Sequence, residues 1–449
     1  MPETAGRMLL PALSLLLAAC WVGGGVTADA TSIDEWLQLL ALPVMLLAAM
    51  AMAGERMPRP LRWGAGLCVL VAMVPALQLL PLPAQTWGMP AARHALGTDL
   101  AQAGVNIAPH WSLAPSATEQ ALWSLLPALA AFLAAAGLPQ QQRRRLLQVV
   151  VLLVGCNLLF AFFQAGLPPD SQLRLYSEFN GGFGGLFANT NHQATACIVG
   201  MTVAVGLSSD ARLRARRGEV HPHRPWWYLG LAGVFLLMVP LSTSRAGMAI
   251  ALPVLALALV LTGVLRLRRI GRSKRATATA LVLALVAVVG VRAAMGWMEV
   301  DQAEELRHAM ASVAVSAGTT EAPLGAGVGS FVPVFAQAAP ASLRMASYVN
   351  HAHNEYVQWW LEAGWLGMAV LALVLALLAV VAWRVVHSEG RNAALAGASL
   401  VAICAVFAHS WADYPLRTTT LMATTAALAG LMLASLADAR ERKPRHHRH

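Results

Sequence analysis

Long apolar stretches separated by short polar ones dominate the chain. About 20 apolar residues are needed to cross the hydrocarbon core of a bilayer, and bounding charges and turn residues delimit twelve such stretches. The predicted spans are Met8 to Val26, Glu35 to Ala53, Trp63 to Leu82, Glu119 to Leu138, Leu146 to Gly166, His192 to Leu207, Trp226 to Leu241, Ala246 to Leu265, Ala276 to Trp297, Gly364 to Trp383, Ala394 to His409 and Thr418 to Leu436. The pattern predicts an all-α integral membrane protein with about 12 transmembrane helices.

Composition excludes several classes of protein. Of the 449 residues, 57% are hydrophobic and 12% are charged, whereas about a quarter of the residues are charged in ordinary soluble domains. Little chain is left outside the predicted spans, so soluble enzymes, nucleic-acid-binding domains and secreted scaffolds are excluded. All five cysteines lie inside predicted spans, which argues against a disulfide framework.

The distribution of charge predicts a topology, because Lys and Arg accumulate in cytoplasmic loops. Counted over alternate loops, one side holds 25 Lys and Arg with 7 Asp and Glu, and the other side holds 7 with 15. The two faces therefore carry +18 and −8, and both termini are predicted to be cytoplasmic. The formal net charge of +10 is then explained by basic cytoplasmic loops that lie next to anionic membrane lipid. It does not require a nucleic-acid partner.

Four outward segments are long enough to form structure of their own, namely residues 83–118, 167–191, 299–363 and the short 410–417, and the third is the largest. We divide the chain into an N-terminal transmembrane region, 1–186, and a second region, 187–449, which ends in a basic cytoplasmic tail at 437–449. The glycines at 325–329 have the spacing of a dinucleotide loop, but no βαβ pattern surrounds them, so we interpret this segment as a flexible turn.

Unusual polar residues gather where the predicted spans meet the outward loops. An ionisable residue near a bilayer is costly unless it is paired or functional, so polar clusters that face one compartment predict one site. The four clusters are Phe187 to His192, Ser242 to Arg245, Tyr348 to Gly367 and His409 to Arg417.

Arg245 lies in a short connection between two predicted spans. Its planar guanidinium is held near the interface, where it can bind an anionic headgroup through two hydrogen bonds. Snorkelling toward lipid phosphate or solvent is the alternative interpretation. Arg174 and Arg417 occupy comparable outward positions and are further candidates.

His351 and His353 precede a predicted helix on which Asn354 and Gln358 share one face. A histidine can accept the proton of an attacking hydroxyl. The alternatives are a hydrogen-bonded interface histidine and a zinc site completed by Glu355. No outward pair of carboxylates and no serine-nucleophile motif stands out. Arginine and histidine together fit a reaction whose leaving group is already activated, such as a diphosphate.

Short motifs in the second region point to a family. His353-Asn354 precedes Gly364-Trp365-Leu366-Gly367 by nine residues, and a serine-rich hairpin ends in Arg245-Ala246-Gly247. Residues 189–192, 323–327 and 409–417 add further motifs. Together they resemble the bacterial O-antigen ligase and O-antigen polymerase superfamily over roughly residues 187–417.

The resemblance implies a GT-C-like glycosyltransferase of the bacterial inner membrane that needs no metal and no cofactor. Such enzymes move a glycan from an undecaprenyl diphosphate carrier to an acceptor hydroxyl at the periplasmic face. The acceptor is a lipid A core sugar in ligases, another carrier-linked glycan in polymerases, and a protein hydroxyl in some relatives. By the resemblance, Arg245 binds the diphosphate and His353 activates the acceptor hydroxyl. The substrate-binding candidates around them are Asn354, His351, Asn191 and His192, with Arg174 and Arg417 added on position alone.

A polytopic transporter, such as a flippase of lipid-linked glycan, is the alternative function. Transporters normally carry ionisable groups and broken helices near the bilayer midplane. Here the predicted helix interiors are nearly free of charge and the unusual residues crowd one face, which favours the enzyme.

Overall fold

A computed structural model describes residues 2–27, 32–54, 56–105, 109–168, 170–176, 183–265, 302–343, 349–388 and 390–441. The predicted span Ala276 to Trp297 and the end of the basic tail lie outside the described residues. Within the described residues the fold is α-helical, without a β-strand. The helices are α1 (Pro2–Gly23), α2 (Ser32–Met52), α3 (Arg59–Gln78), α4 (Ala84–Trp87), α5 (Ala91–Gln102), α6 (Pro115–Trp123), α7 (Leu126–Gly137), α8 (Gln140–Ala165), α9 (Thr190–Ala215), α10 (Arg224–Met238), α11 (Arg245–Leu261), α12 (Gln302–Thr320), α13 (Phe331–Ala338), α14 (Glu355–Val386), α15 (Arg391–His409) and α16 (Thr419–Glu441).

Ten stretches of the described chain are helical, long and apolar enough to cross a membrane. One of them, Pro115–Gly137, combines α6 and α7. The predicted all-α integral membrane fold is therefore confirmed. The count of twelve is not confirmed, because α11 is shorter, with 17 residues, and the predicted ninth span lies outside the described residues.

Helix α9 forms the centre of the bundle. The most apolar part of α9 is completely buried, and the helix packs against α8, α10, α11 and α15. A methyl group at Gly206 of α9 would come within 2.3 Å of the Ala398 side chain on α15. Small residues allow this close approach, which matters in a membrane because lipid is as apolar as the helix surfaces.

Arg93 joins the two long segments that were predicted to face outward. Its side chain is fully buried, and Nε donates to Glu321 Oε2 at 2.8 Å. The other two guanidinium nitrogens donate to the carbonyls of Trp111 at 2.7 Å and Gly325 at 2.6 Å. Burial lowers the pKa of Arg93, although Glu321 opposes that shift. The described parts of residues 83–118 and 299–363 therefore pack against each other through Arg93.

Helix α14 is broken at Gly364, whose φ of 56° and ψ of −151° lie outside the helical region. The loop at 325–327 fills the break, with Ala326 N donating to Leu361 O and Gly327 N donating to Glu362 O, both at 2.8 Å. Only glycine adopts this backbone conformation readily. The loop interpreted as a flexible turn is thus a packed element that fixes the first turns of α14.

Candidate active site

Each of the other three polar clusters contacts the fourth, the 409–417 turn. Glu355 N donates to Ser410 O at 2.9 Å, which docks the start of α14 on this turn. Asn189 Nδ2 donates to Asp413 Oδ2 at 2.9 Å and ties the start of α9 to it. Ser244, just before α11, lies 3.4 Å from His409 Nε2. The 409–417 turn is therefore the point on which the other clusters converge.

His353 lies just before the N-terminus of α14, in a left-handed backbone conformation with φ 50°. The next residue, Asn354, caps the helix because its Oδ1 accepts from Tyr356 N at 3.1 Å and Val357 N at 3.2 Å. A positive φ is uncommon outside glycine and asparagine and often marks a functional position. Nδ1 of His353 lies 3.4 Å from Asp413 Oδ1, while the side chain remains 22% exposed.

Asp413 is buried among polar partners. Besides His353 and Asn189, its carboxylate accepts from Tyr414 N at 2.9 Å and lies 4.0 Å from His192 Nε2. Burial alone would raise the pKa of this carboxyl, but His353, His192 and a more distant arginine hold it well below its usual range. Asp413 therefore stays ionised beside the His353 imidazole. We call His353 and Asp413 the open pair.

Tyr414 brings three histidines together. Its ring centroid lies 4.2 Å from that of His351 and 5.0 Å from those of both His353 and His192. Burial, and secondarily the charge of Asp413, raises the pKa of the Tyr414 phenol. The phenol is therefore protonated and fills the space between the imidazoles.

His351 belongs to a separate set of contacts, which we call the closed network: His351, Gln358, Glu362 and Arg417. His351 Nδ1 lies 3.2 Å from Gln358 Oε1, and Gln358 Nε2 donates to Glu362 Oε1 at 3.0 Å. Arg417 Nη2 completes the network 2.8 Å from Glu362 Oε2. Burial, together with the charge of Arg417, holds the pKa of His351 well below its usual value. His351 is therefore neutral and hydrogen-bonded within the network.

Arg417 also lies 3.4 Å from Glu355 Oε2 through its Nε. Burial opposes its charge, but Glu362 and Glu355 raise the pKa of Arg417 above its usual value. Its positive charge is thus balanced by two carboxylates. That Arg417 binds substrate stays a prediction. In the structure its guanidinium contacts the carboxylates of Glu355 and Glu362.

Arg245 is the first residue of α11. The preceding Ser244 caps that helix by accepting from Gly247 N at 3.0 Å, and Ser244 itself follows Thr243, which has φ 56°. Arg245 therefore directly follows, in the chain, a residue that contacts the 409–417 turn. His409 is held from its other side by Thr195 of α9, 2.7 Å from Nδ1.

The other predicted residues occupy different environments. Asn191 and His192 lie in the first turn of α9 and are 8% and 1% exposed, and the His192 imidazole contacts two aromatic rings and lies 4.0 Å from Asp413. Arg174 Nε donates to the Gln164 carbonyl at the end of α8, at 3.0 Å. None of the contacts described for Arg174 joins it to the open pair.

Sequence reasoning named Asp413 only as a member of the 409–417 segment. The signal that singled out Arg417, an ionisable residue in a short outward turn between two spans, applies equally to Asp413. The sequence named Gln358 as sharing a helix face with Asn354, and Glu355 as a possible zinc ligand, but it did not predict their contacts with His351 and Arg417. Glu362 was not singled out, because sequence alone does not match a helix face with its partner.

Comparison with known families supplies one match. Residues 229–372 match a family model described as O-antigen ligase. This segment contains Arg245, His351, His353 and Asn354, but the match ends before Asp413 and Arg417. No curated protein matches the chain.

Proposed function

We propose that this membrane protein is a glycosyltransferase of the O-antigen ligase type. The match of residues 229–372 to the O-antigen ligase family model supports the proposal. The family indicates O-antigen-ligase-type glycosyltransferase activity. In our proposal the donor is a glycan linked to undecaprenyl diphosphate, and the acceptor is a hydroxyl of a second glycan or of a lipid A core. The reaction takes place at the periplasmic face of the inner membrane.

The observation that carries the proposal is the open pair. Since Nδ1 of His353 faces the Asp413 carboxylate, the proton of the neutral imidazole is best placed on Nδ1, and Nε2 is then the acceptor nitrogen. As the acceptor oxygen bonds to the anomeric carbon of the donor, its proton passes to Nε2 of His353. The Asp413 charge stabilises the imidazolium that forms.

Arg245 acts on the other half of the reaction. The bond between the anomeric carbon and the diphosphate oxygen breaks, and negative charge accumulates on the leaving diphosphate. A guanidinium at the N-terminus of α11 supplies hydrogen bonds and positive charge, and the helix dipole adds to them. Its position one residue from Ser244, which contacts His409, supports a place beside the open pair.

The test is a transfer assay with purified protein in proteoliposomes that contain a defined lipid-linked glycan donor and a soluble or lipid-linked acceptor. We expect wild-type protein to form glycan product and His353→Ala to form very little. His94→Ala, at an exposed histidine of α5, is the matched control and should keep full activity. Accessibility of the donor in the inner and outer leaflets is measured in parallel. Movement of donor between leaflets without product would contradict the enzyme and support the flippase.

A further inference from the structure

A cavity of about 430 Å³ lies at the start of α10. Its walls are formed by His221, Arg224, Trp227 and Tyr228. The other end of α10 leads toward Ser244, which contacts the candidate active site. The length of α10 therefore separates this cavity from the open pair, and the proposed glycan transfer makes no use of it.

The segment that forms one side of the cavity is strongly basic. Residues 212–224 connect α9 to α10 and contain five arginines but a single carboxylate, Glu219. Two of the arginines already contact that carboxylate, Arg214 at 2.9 Å and Arg217 at 3.8 Å. Arg224, by contrast, is exposed and forms no ion pair within the part of the chain that the structure describes. The guanidinium in the cavity wall is therefore available to an anion.

The other walls are aromatic and lead onto an apolar helix face. The Tyr228 hydroxyl accepts from Gln148 Nε2 of α8 at 2.8 Å, which fixes the position of this ring. Trp227 is 77% exposed, and Val234, two turns further along the same face of α10, is 45% exposed. Tryptophan and tyrosine are typical of the membrane–water interface, where their rings lie at the level of the headgroups. A molecule held by Arg224 would thus extend onto a surface suited to hydrocarbon.

We propose that this cavity binds an anionic phospholipid. The phosphate lies against Arg224 and His221, and an acyl chain follows the face of α10 that carries Trp227 and Val234. Arginine binds phosphate oxygens through charge and paired hydrogen bonds, and the imidazole adds a possible donor. Basic pockets beside transmembrane helices recognise anionic headgroups in this way. A free phosphate would use the arginine but leave the aromatic wall and the apolar face without a ligand contact.

Lipid binding to the full-length protein in detergent can be measured by native mass spectrometry. The probes are dioleoylphosphatidylglycerol, which is anionic, and dioleoylphosphatidylcholine, which has the same chains and no net charge. We expect wild type to bind the anionic lipid more tightly. Arg224→Ala should raise the Kd for the anionic lipid about fivefold, the usual effect of one basic residue beside such a lipid, and leave the Kd for phosphatidylcholine unchanged.

Arg62→Ala is the matched control. Arg62 is also exposed, precedes the 49% exposed Trp63 and is predicted from the charge distribution to face the same side as residues 212–224, but it does not line the cavity. This variant should bind phosphatidylglycerol like wild type. Equal binding of the two lipids by wild type, or the same loss in Arg62→Ala as in Arg224→Ala, would overturn the proposal, because a general surface charge would then explain the binding.

Thermal unfolding in the same detergent provides a second measurement. A ligand that binds only the folded state raises the melting temperature, so phosphatidylglycerol should stabilise wild type more than phosphatidylcholine does. Arg224→Ala should lose most of this difference while melting like wild type in phosphatidylcholine, and Arg224→Lys, which keeps the charge, should retain more of it. Inorganic phosphate and soluble glycerophosphoglycerol should have no effect. A shift by either one as large as that of the lipid would show that the cavity binds a free phosphate group, which would refute the phospholipid.

Discussion

The open pair and the closed network both pack against the Tyr414 ring, and each contains an imidazole and a carboxylate. In the open pair the imidazole faces the carboxylate directly and remains 22% exposed. In the closed network an amide separates the imidazole from Glu362, and an arginine balances that carboxylate. Both histidines are partly exposed, but in the open pair the imidazole faces a carboxylate with no amide between them. The comparison teaches that two histidines in one short motif have different partners, and that the partner distinguishes their tasks.

The largest expected effect is on the open pair itself. His353→Ala removes the proton acceptor, and such a loss typically lowers the rate by about 100- to 10,000-fold. The donor KM should change little, because the arginine supplies most of the attraction to the diphosphate. Single-turnover transfer and donor binding are measured separately in proteoliposomes. If the alanine variant transferred glycan at the wild-type rate with saturating donor, His353 would have no role in proton transfer.

The second effect concerns Arg245, which we proposed to bind the diphosphate. Arg245→Ala should lower transfer by about 100- to 1,000-fold, the usual cost of removing a group that stabilises developing negative charge. Arg245→Lys should also lose most activity, because a point charge does not replace a planar fork. Expression and membrane insertion serve as controls. A fully active lysine variant would refute the bidentate role but leave a role for charge.

A smaller effect is expected from the carboxylate of the open pair. Asp413→Asn keeps the shape of the side chain but removes the charge that stabilises protonated His353. We expect kcat to fall by about 10- to 100-fold with donor KM unchanged, and Asp413→Glu to recover part of the loss. A variant in which KM rises while kcat stays constant would instead indicate that Asp413 supports substrate binding.

In the closed network, Glu362→Gln should affect stability more than chemistry. Glu362 is fully buried, and removing one partner of a buried ion pair costs about 3–5 kcal/mol. We expect a lower melting temperature in detergent, with kcat per folded molecule within a few-fold of wild type. Thermal unfolding and active-site titration provide the two readouts. Unchanged melting together with lost transfer would move Glu362 into the catalytic machinery.

The smallest effect is expected at the second histidine. His351→Ala should lower kcat/KM by about tenfold or less, through a shift of the neighbouring rings. The pKa of His351 is held well below its usual value, and that of Asp413 is also low. Neither group changes charge between about pH 5 and pH 8. The acid side of the pH–rate profile should therefore be the same in wild type and His351→Ala. A displaced acid side in the variant would show that His351 titrates during turnover.

Several features of the fold were predictable because they depend on local sequence. Apolar runs of about 20 residues define spans wherever they occur, and the structure places a helix at each predicted span within the described residues. The loop at 325–329 was not predictable, because its conformation depends on the break in α14 at Gly364, a contact between segments about 40 residues apart along the chain.

The candidate site was only partly predictable. The outward polar clusters were visible in the sequence, and three of them are joined by contacts at the 409–417 turn. The family resemblance singled out Arg245, and position alone added Arg417, so the sequence said nothing of the partners of either side chain. In the structure Arg417 is balanced by two carboxylates, whereas Arg245 starts a helix next to a residue that contacts His409.

By itself the sequence determined that this chain is an all-α membrane protein, which family its second region resembles, and which segments carry unusual polar residues. Hydropathy and short motifs are local properties of the sequence, so they can be recognised without knowledge of the fold. Only the tertiary structure decided that the imidazole of His353, rather than that of His351, faces a buried carboxylate directly. Asp413 is 60 residues beyond His353 in the chain, and their 3.4 Å approach depends on the docking of the start of α14 on the 409–417 turn, where Glu355 N donates to Ser410 O.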